Sequence, residues 1–238
     1  MGKRFYVPEL FSGKVKLPDF ELHHAINVLR IKKGDIVELF DGKGKYAEGV
    51  IIGISKSQAD ILAKEVKYAP APKIEVTLAF AAPKYVKQEI LALMCSELGI
   101  SRFQPVIFAR SSVRETLRLE KWKRWAIQAC KQSRRNYLPE ICKPIRFNEL
   151  ARQLNNYDCV IYGEYRAECN INKLISYITG KKNIAIIVGP EGGFTDEEIS
   201  SITKIGAMGM RIGKHVLRVE TAAIAIISAV MTLVDSNS

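Results

Sequence analysis

From residue 74 onward, short apolar runs alternate with longer stretches of helical period. The runs 74–80, 103–108, 157–162, 184–188 and 208–212 are too continuously apolar for a half-solvated strand, and predict strands buried on both faces. The stretches 86–98, 120–135, 148–155, 171–178, 195–205 and 219–234 repeat apolar residues every three or four positions and predict helices. Such alternation implies an α/β domain: a mostly parallel sheet with helices on both faces. Ligands of such sheets sit outside the carboxyl ends of the strands, where strand order reverses.

The first 68 residues have a different rhythm. Residues 36–40 form a strand-like run, Asp41-Gly42-Lys43-Gly44 a turn, and 46–54 and 58–66 two further β-rich runs. Between Asp19 and Arg30 the apolar positions Phe20, Leu22, Ala25, Ile26, Val28 and Leu29 fit a short helix. These features predict a small barrel-like β domain with one helix over 1–68. Pro70 and Pro72, in alternate positions, favour an extended linker over 69–73. The α/β domain then runs over 74–238.

Composition narrows the partners. The chain is 47% apolar and 26% charged, a globular balance. Its 36 Lys and Arg against 25 Asp and Glu give +11 and favour a polyanion such as a nucleic acid. The five cysteines (Cys95, Cys130, Cys142, Cys159, Cys169) include no C-x-x-C pair, and the three histidines are scattered, so neither a disulfide framework nor a metal is expected. Reduced thiols suit a cytoplasmic location. No signal-peptide core follows Met1-Gly2-Lys3-Arg4. The stretch 222–234, interrupted by Ser228 and Thr232, is shorter than the ~20 residues a bilayer needs and predicts a buried helix, not a membrane span.

Candidate chemistry gathers near the C-terminus. The run 184–188 leads into Gly189-Pro190-Glu191-Gly192-Gly193-Phe194, a turn where backbone can approach a ligand because no Cβ intervenes. Thr195 with Glu198 predicts a capping box. Asp196, Glu197, Glu198 and Glu191 crowd that helix start with negative charge, which disfavours a pyrophosphate. Neither G-x-G-x-x-G nor G-K-[ST] is present. The loop is either an ordinary tight turn or a site for a ligand that is neutral or cationic where it touches. S-adenosylmethionine, with its sulfonium and ammonium groups, fits the second reading. In Ile212-Gly213-Lys214-His215-Val216-Leu217-Arg218-Val219-Glu220-Thr221-Ala222, the charged Arg218 and Glu220 adjoin an apolar helix. They either pair with each other or face a pocket shared with the 189–193 loop.

The two C-terminal motifs together resemble the paired GPEGG and LR-x-ETA signature of the RsmE family, ribosomal small-subunit RNA (uracil-N3)-methyltransferases of the SPOUT class. Residues 24–30, Gly34-Asp35 and 41–44 resemble that family's N-terminal PUA-like domain; 97–100 and 132–135 match further segments, so the resemblance covers the full length. It implies a trefoil-knotted SPOUT domain preceded by a PUA-like β-barrel, a homodimer, and S-adenosyl-L-methionine as cofactor. By the family pattern the cofactor is held by Gly189, Pro190, Glu191, Gly192, Gly193, Ile212, Gly213, Leu217, Arg218, Glu220, Thr221 and Ala222. Val219 stands where the family often has threonine, and Lys214-His215 where proline-arginine is frequent.

The implied partner is ribosomal RNA or the small ribosomal subunit. Arg4, Arg30, Lys33, Arg134 and Arg135 are the cations expected to contact it; a solvated surface is the plainer reading of any one of them. Methylating N3 of uracil requires loss of its proton, and charge develops on the flanking carbonyl oxygens. Arg218 or Arg135 is the expected stabilising cation, and Glu220 the group that orients an arginine or accepts the proton. A non-catalytic RNA-binding assembly factor and a nucleotide-dependent enzyme are the competing readings. The intact motifs weigh against the first, and the acidic helix start against the second.

Overall fold

The computed structural model describes residues 3–83, 85–111, 117–168 and 171–236. Met1, Gly2 and Cys169 lie outside the described residues. Packing divides the chain into two compact units, 1–71 with 127–138, and 72–126 with 139–238. Chain order alone would keep 127–138 with the second domain; it packs instead with the first.

The first unit contains β1 (Arg4–Tyr6), β2 (Gly13–Lys16), α1 (Asp19–His23), β3 (Ile36–Phe40), β4 (Lys45–Ile54), β5 (Ala59–Ala63) and β6 (Lys67–Tyr68). They form a six-stranded sheet in the order β1-β3-β4-β5-β2, with β6 on β4; β1 pairs with β3 in parallel and every other pair is antiparallel. Along β4, Ala47, Gly49 and Ile51 turn inward at alternate positions, the period of a sheet with one wet face. Phe5, Leu39, Ile51 and Ile61 are fully buried in this core. The expected helix is real but changes pitch: α1 passes at His24 into a π-turn, His24–Val28. The Asp41-Gly42-Lys43-Gly44 turn is held by Asp41, whose Oδ1 accepts the Lys43 and Lys45 backbone N–H groups at 2.7 and 2.9 Å. Gly42 needs its glycine twice over: φ is +75°, and a Cβ would meet the Leu138 side chain at 2.6 Å.

The second unit contains β7 (Glu75–Ala81), α2 (Tyr85–Glu97), β8 (Arg102–Ile107), β9 (Glu140–Ile141), β10 (Ile145–Arg146), α4 (Phe147–Gln153), β11 (Cys159–Gly163), α5 (Ile171–Ile178), β12 (Asn183–Val188), α6 (Asp196–Lys204), β13 (Met208–Met210) and α7 (Val219–Ser236). Helix α3 (Leu119–Ser133) begins in this unit and ends in the first. The seven strands are all parallel, in the order β10-β8-β7-β12-β11-β13 with β9 on β8. Both faces are covered. Val76, Leu78, Phe80, Ile184 and Ile186 pack against residues of α2, α3, α5 and α7. Ala79, Ala81, Ala185 and Ile187 face the opposite way, against Leu150 of α4 and Ile202 of α6. This two-sided burial explains why these strands read as continuous apolar runs.

Trp122 anchors one face. It is fully buried, its ring centroid lies 5.3 Å from Phe80 and 5.1 Å from Phe103, and its indole N–H donates to Gln88 Oε1 at 3.2 Å. Trp122→Ala is expected to lower the unfolding free energy by about 3–5 kcal/mol in urea titrations.

Burial pushes the Cys130, Cys142 and Cys159 thiols up to about 11 and raises that of Cys95 as well. The thiolate is the reactive form. In a Cys169→Ser background at about pH 8, these thiols should therefore react with Ellman's reagent far more slowly in the native protein than in urea, and the native rate should climb as pH approaches 11. Equal native and denatured rates would contradict this burial.

Candidate functional site

Three neighbouring strands, β12, β11 and β13, end at one level. Tyr162 pairs with Ile187, and Gly163 pairs with Met210. The loops that leave these ends enclose a cavity of about 350 Å³. Gly163, Glu164 and Tyr165 come from the end of β11; Val188 and the run Gly189, Pro190, Glu191, Gly192, Gly193 from the end of β12. Arg211 and Ile212 follow β13, and His215, Val216, Leu217, Val219, Ala222 and Ile226 complete the wall through the start of α7. A ligand cleft beyond the carboxyl ends of parallel strands is where this architecture places one.

The 189–193 loop is fixed by its neighbours. Gly193 N–H donates to Pro190 O at 2.8 Å, and Gly193 takes φ +71°. A Cβ on Gly189 would meet the Phe194 ring at 2.8 Å. Phe194 is buried, with its ring 5.4 Å from Phe108 and 6.2 Å from Tyr162. Arg110 adds two hydrogen bonds, to Gly192 O and Phe194 O, each 3.0 Å.

The capping box forms as expected. Glu198 N–H donates to Thr195 Oγ1 at 3.2 Å, and Thr195 N–H to Glu198 Oε2 at 2.9 Å. The other oxygen of the buried Glu198 accepts the Ala109 N–H at 2.9 Å, so this carboxylate is consumed by structure. Asp196, Glu197 and Glu191 remain exposed. A backbone N–H, then the Thr195 hydroxyl, hold the Glu197 carboxyl below its ordinary value.

Of the residues expected to hold a cofactor, Gly189, Pro190, Glu191, Gly192, Gly193, Ile212, Leu217 and Ala222 line the cavity; Gly213, Arg218, Glu220 and Thr221 do not. Arg218 is exposed, and its carbonyl accepts the Ala222 N–H at 2.8 Å in the first turn of α7. The mutual Arg218–Glu220 ion pair does not form. Glu220 is buried and pairs instead with Lys87 of α2 at 3.0 Å, while its second oxygen, Oε2, has no hydrogen-bond partner among the described residues. Lys87 lies far away in sequence, and no spacing signalled it. The 163–165 loop and Arg211 were missed for the same kind of reason: nothing in the sequence says that β11 sits between β12 and β13.

The cations expected to meet RNA all belong to the first unit. Arg4 needs correction. It is buried, it donates to Cys130 O and Arg135 O at 3.1 Å and to Asn136 Oδ1 at 2.5 Å, and its guanidinium lies 4.4 Å from the centre of the Phe40 ring. Burial lowers its pKa. Its burial and these bonds, which engage three of its N–H groups, make Arg4 an internal brace in place of a surface cation. Arg135 is half-buried, and burial lowers its pKa too. Arg30, Lys33 and Arg134 are exposed; Arg134 lies 3.4 Å from Glu38. Among the described residues, no cluster of His, Cys, Asp and Glu suits a metal ion.

Two alanine variants separate the loop's constraints. Gly189→Ala, which meets the Phe194 ring, is expected to cost about 1–3 kcal/mol; Gly193→Ala, with open space but positive φ, about 1 kcal/mol. Urea denaturation measures both, and a neutral Gly189→Ala would contradict the close approach.

Comparison with known proteins agrees with this architecture. The RNA methyltransferase domain family matches residues 70–231, and the RNA methyltransferase PUA domain family matches 17–63. The ribosomal RNA small subunit methyltransferase E of Mesomycoplasma hyopneumoniae is 31% identical over 231 residues, covering 94% of this chain and 97% of that protein. Its counterpart from Rickettsia conorii is 32% identical, with 93% and 91% covered. The crystal structure of the Neisseria gonorrhoeae ribosomal RNA small subunit methyltransferase E bound to S-adenosyl methionine superposes with a TM-score of 0.87 at 31% identity, over 98% of each chain. The chain belongs to the ribosomal RNA small subunit methyltransferase E family.

Proposed function

We propose that this protein methylates N3 of a uridine in 16S ribosomal RNA, with S-adenosyl-L-methionine as donor, in the cytoplasm. The observation that carries the reading is the cavity beyond β11, β12 and β13, where glycine backbone forms one wall and, among the described lining residues, carboxylates outnumber Lys and Arg. The cavity fits the donor. Glycine at 189 and 192 lets the turn pack down on Phe194 and Arg110, where a Cβ would come within 2.8 and 3.3 Å, and Glu164 and Glu191 on the lining complement positive charge. Backbone of 189–193, Ile212 and Leu217 would hold it, with Ala222 packing alongside.

S-adenosyl-L-methionine supplies an electrophilic methyl group. The chain must supply an unstacked uracil, a route for the N3 proton, and a cation near the carbonyl oxygens that gain charge. Arg218, exposed at the start of α7, is our candidate for that cation, with Arg135 as the alternative. Glu220 serves by position: Lys87 compensates its charge, so its burial keeps the first turn of α7 in place. The first unit would grip RNA through Arg30, Lys33 and Arg134. Arg30 (φ +48°) and Arg134 (φ +60°) hold left-handed backbone usually reserved for glycine, and both side chains are exposed. Retaining arginine at two such positions favours use of the guanidinium over backbone economy.

The functional protein would be a homodimer with the donor site in a trefoil-knotted fold. Ile90 and Met94, one turn apart on α2 and 42% and 46% exposed, suit a dimer face. Among the described residues no helix is long and apolar enough to cross a membrane.

Arg218→Ala should reduce methyl incorporation into small-subunit RNA at least a hundredfold, about 2.7 kcal/mol of transition-state stabilisation, with urea stability unchanged. Tritium transfer from labelled donor measures the first. Near-wild-type turnover would remove Arg218 from the mechanism, and loss of N3-methyluridine from 16S RNA of cells lacking the protein tests the product. If cells lacking the protein keep that nucleoside, the non-catalytic reading gains.

A further inference from the structure

Arg211 follows β13 and stands out among the residues that line the cavity. Among the described residues it is the one Lys or Arg on the lining, and its Nε is buried with no hydrogen-bond partner among them. Such a group is rare in a native protein, because a buried guanidinium N–H loses its water and demands an acceptor. No described carboxylate supplies one. Glu164 turns an oxygen to the Arg166 N–H at 3.0 Å, and neither Glu164 nor Glu191 lies within ion-pair reach of Arg211. Among the described residues, the arginine therefore reaches the cavity unpaired, beside two carboxylates on the lining.

We infer that Arg211 receives the carboxylate of the methyl donor's amino-acid part, and so decides which adenosyl compounds the site accepts. This rests on the reading of the cavity as the donor site. S-adenosyl-L-methionine carries two positive groups, sulfonium and ammonium, and one negative group, the carboxylate. The lining offers the complementary set: Glu164 and Glu191 against the positive groups, Arg211 against the negative one. A guanidinium meets a carboxylate through paired, charge-assisted bonds, which satisfies an otherwise orphaned Nε better than a neutral ring nitrogen or hydroxyl does. A contact from Arg211 to the uracil instead would leave donor affinity indifferent to this residue.

Isothermal titration of the full chain separates these cases, using wild type, Arg211→Gln and Arg211→Lys. The probes are S-adenosyl-L-methionine, S-adenosyl-L-homocysteine and 5′-methylthioadenosine, which lacks the amino-acid part. Arg211→Gln should weaken both amino-acid-bearing probes by about ten- to a hundredfold and leave 5′-methylthioadenosine within about twofold of wild type; Arg211→Lys should recover part of the loss. Retained 5′-methylthioadenosine binding also shows that the variant is folded. Unchanged S-adenosyl-L-methionine affinity, or an equal loss for all three probes, overturns the assignment while leaving the donor site standing. Failure of the wild type to bind any of the three overturns the donor site itself, and the assignment with it.

Discussion

The site exists because three parallel strands stop together. β11 lies between β12 and β13, and the register places Gly163 opposite Met210, one residue beyond the Tyr162–Ile187 pair. Three loops far apart in sequence thereby leave the sheet at one level and must share the same space. A shift of one strand by a residue would turn its buried side chains to the opposite face and carry its loop away from the others. That register is itself held by apolar packing on both faces, from Ile184 and Ile186 on one side to Ala185 and Ile187 on the other. Everything chemical in the second unit is downstream of this alignment. Position 189 must be glycine because Phe194 fills the layer below it, and the start of α7 can wall the cavity because Glu220 is anchored to Lys87.

The first unit is organised around a buried charge. Arg4 ties β1 to the 127–138 segment through carbonyls and Asn136, and Lys131 pairs with the buried Glu21 at 2.5 Å. Buried ions need such full pairing, since each unmatched donor costs its desolvation. The exposed cations form a separate group. Arg30 and Arg134 each sit just past a helical segment, in backbone that glycine would adopt without strain. The overall excess of +11 therefore splits into internal braces and outward groups, two roles that composition cannot tell apart.

Much of this was legible in the sequence, and the gaps have a common cause. The helices α2 to α7 and the strands β7, β8, β11, β12 and β13 fall within a few residues of the expected runs, because burial on both faces leaves a continuous apolar imprint. The capping box at Thr195 and Glu198 was readable because both partners lie within one turn. The two-residue strands β6, β9 and β10 were not, since so short a segment carries no period. Nor were Arg4's burial, the Lys87–Glu220 pair and the 163–165 wall of the cavity. Each depends on a neighbour brought in by topology, and strand order is not written in local pattern. The family resemblance supplied the ligand class and the domain order, whereas Arg211 emerges only once β13 is placed beside β11.

Methyl transfer by this chain requires the strand-end loops of β11, β12 and β13 to hold the donor. Crystals of this chain soaked in S-adenosyl-L-methionine test it most directly. Density for the donor should fill the cavity between Gly163, the 189–193 turn and Leu217. No density there, or a nucleoside triphosphate occupying the same loops in a parallel soak, would contradict the account.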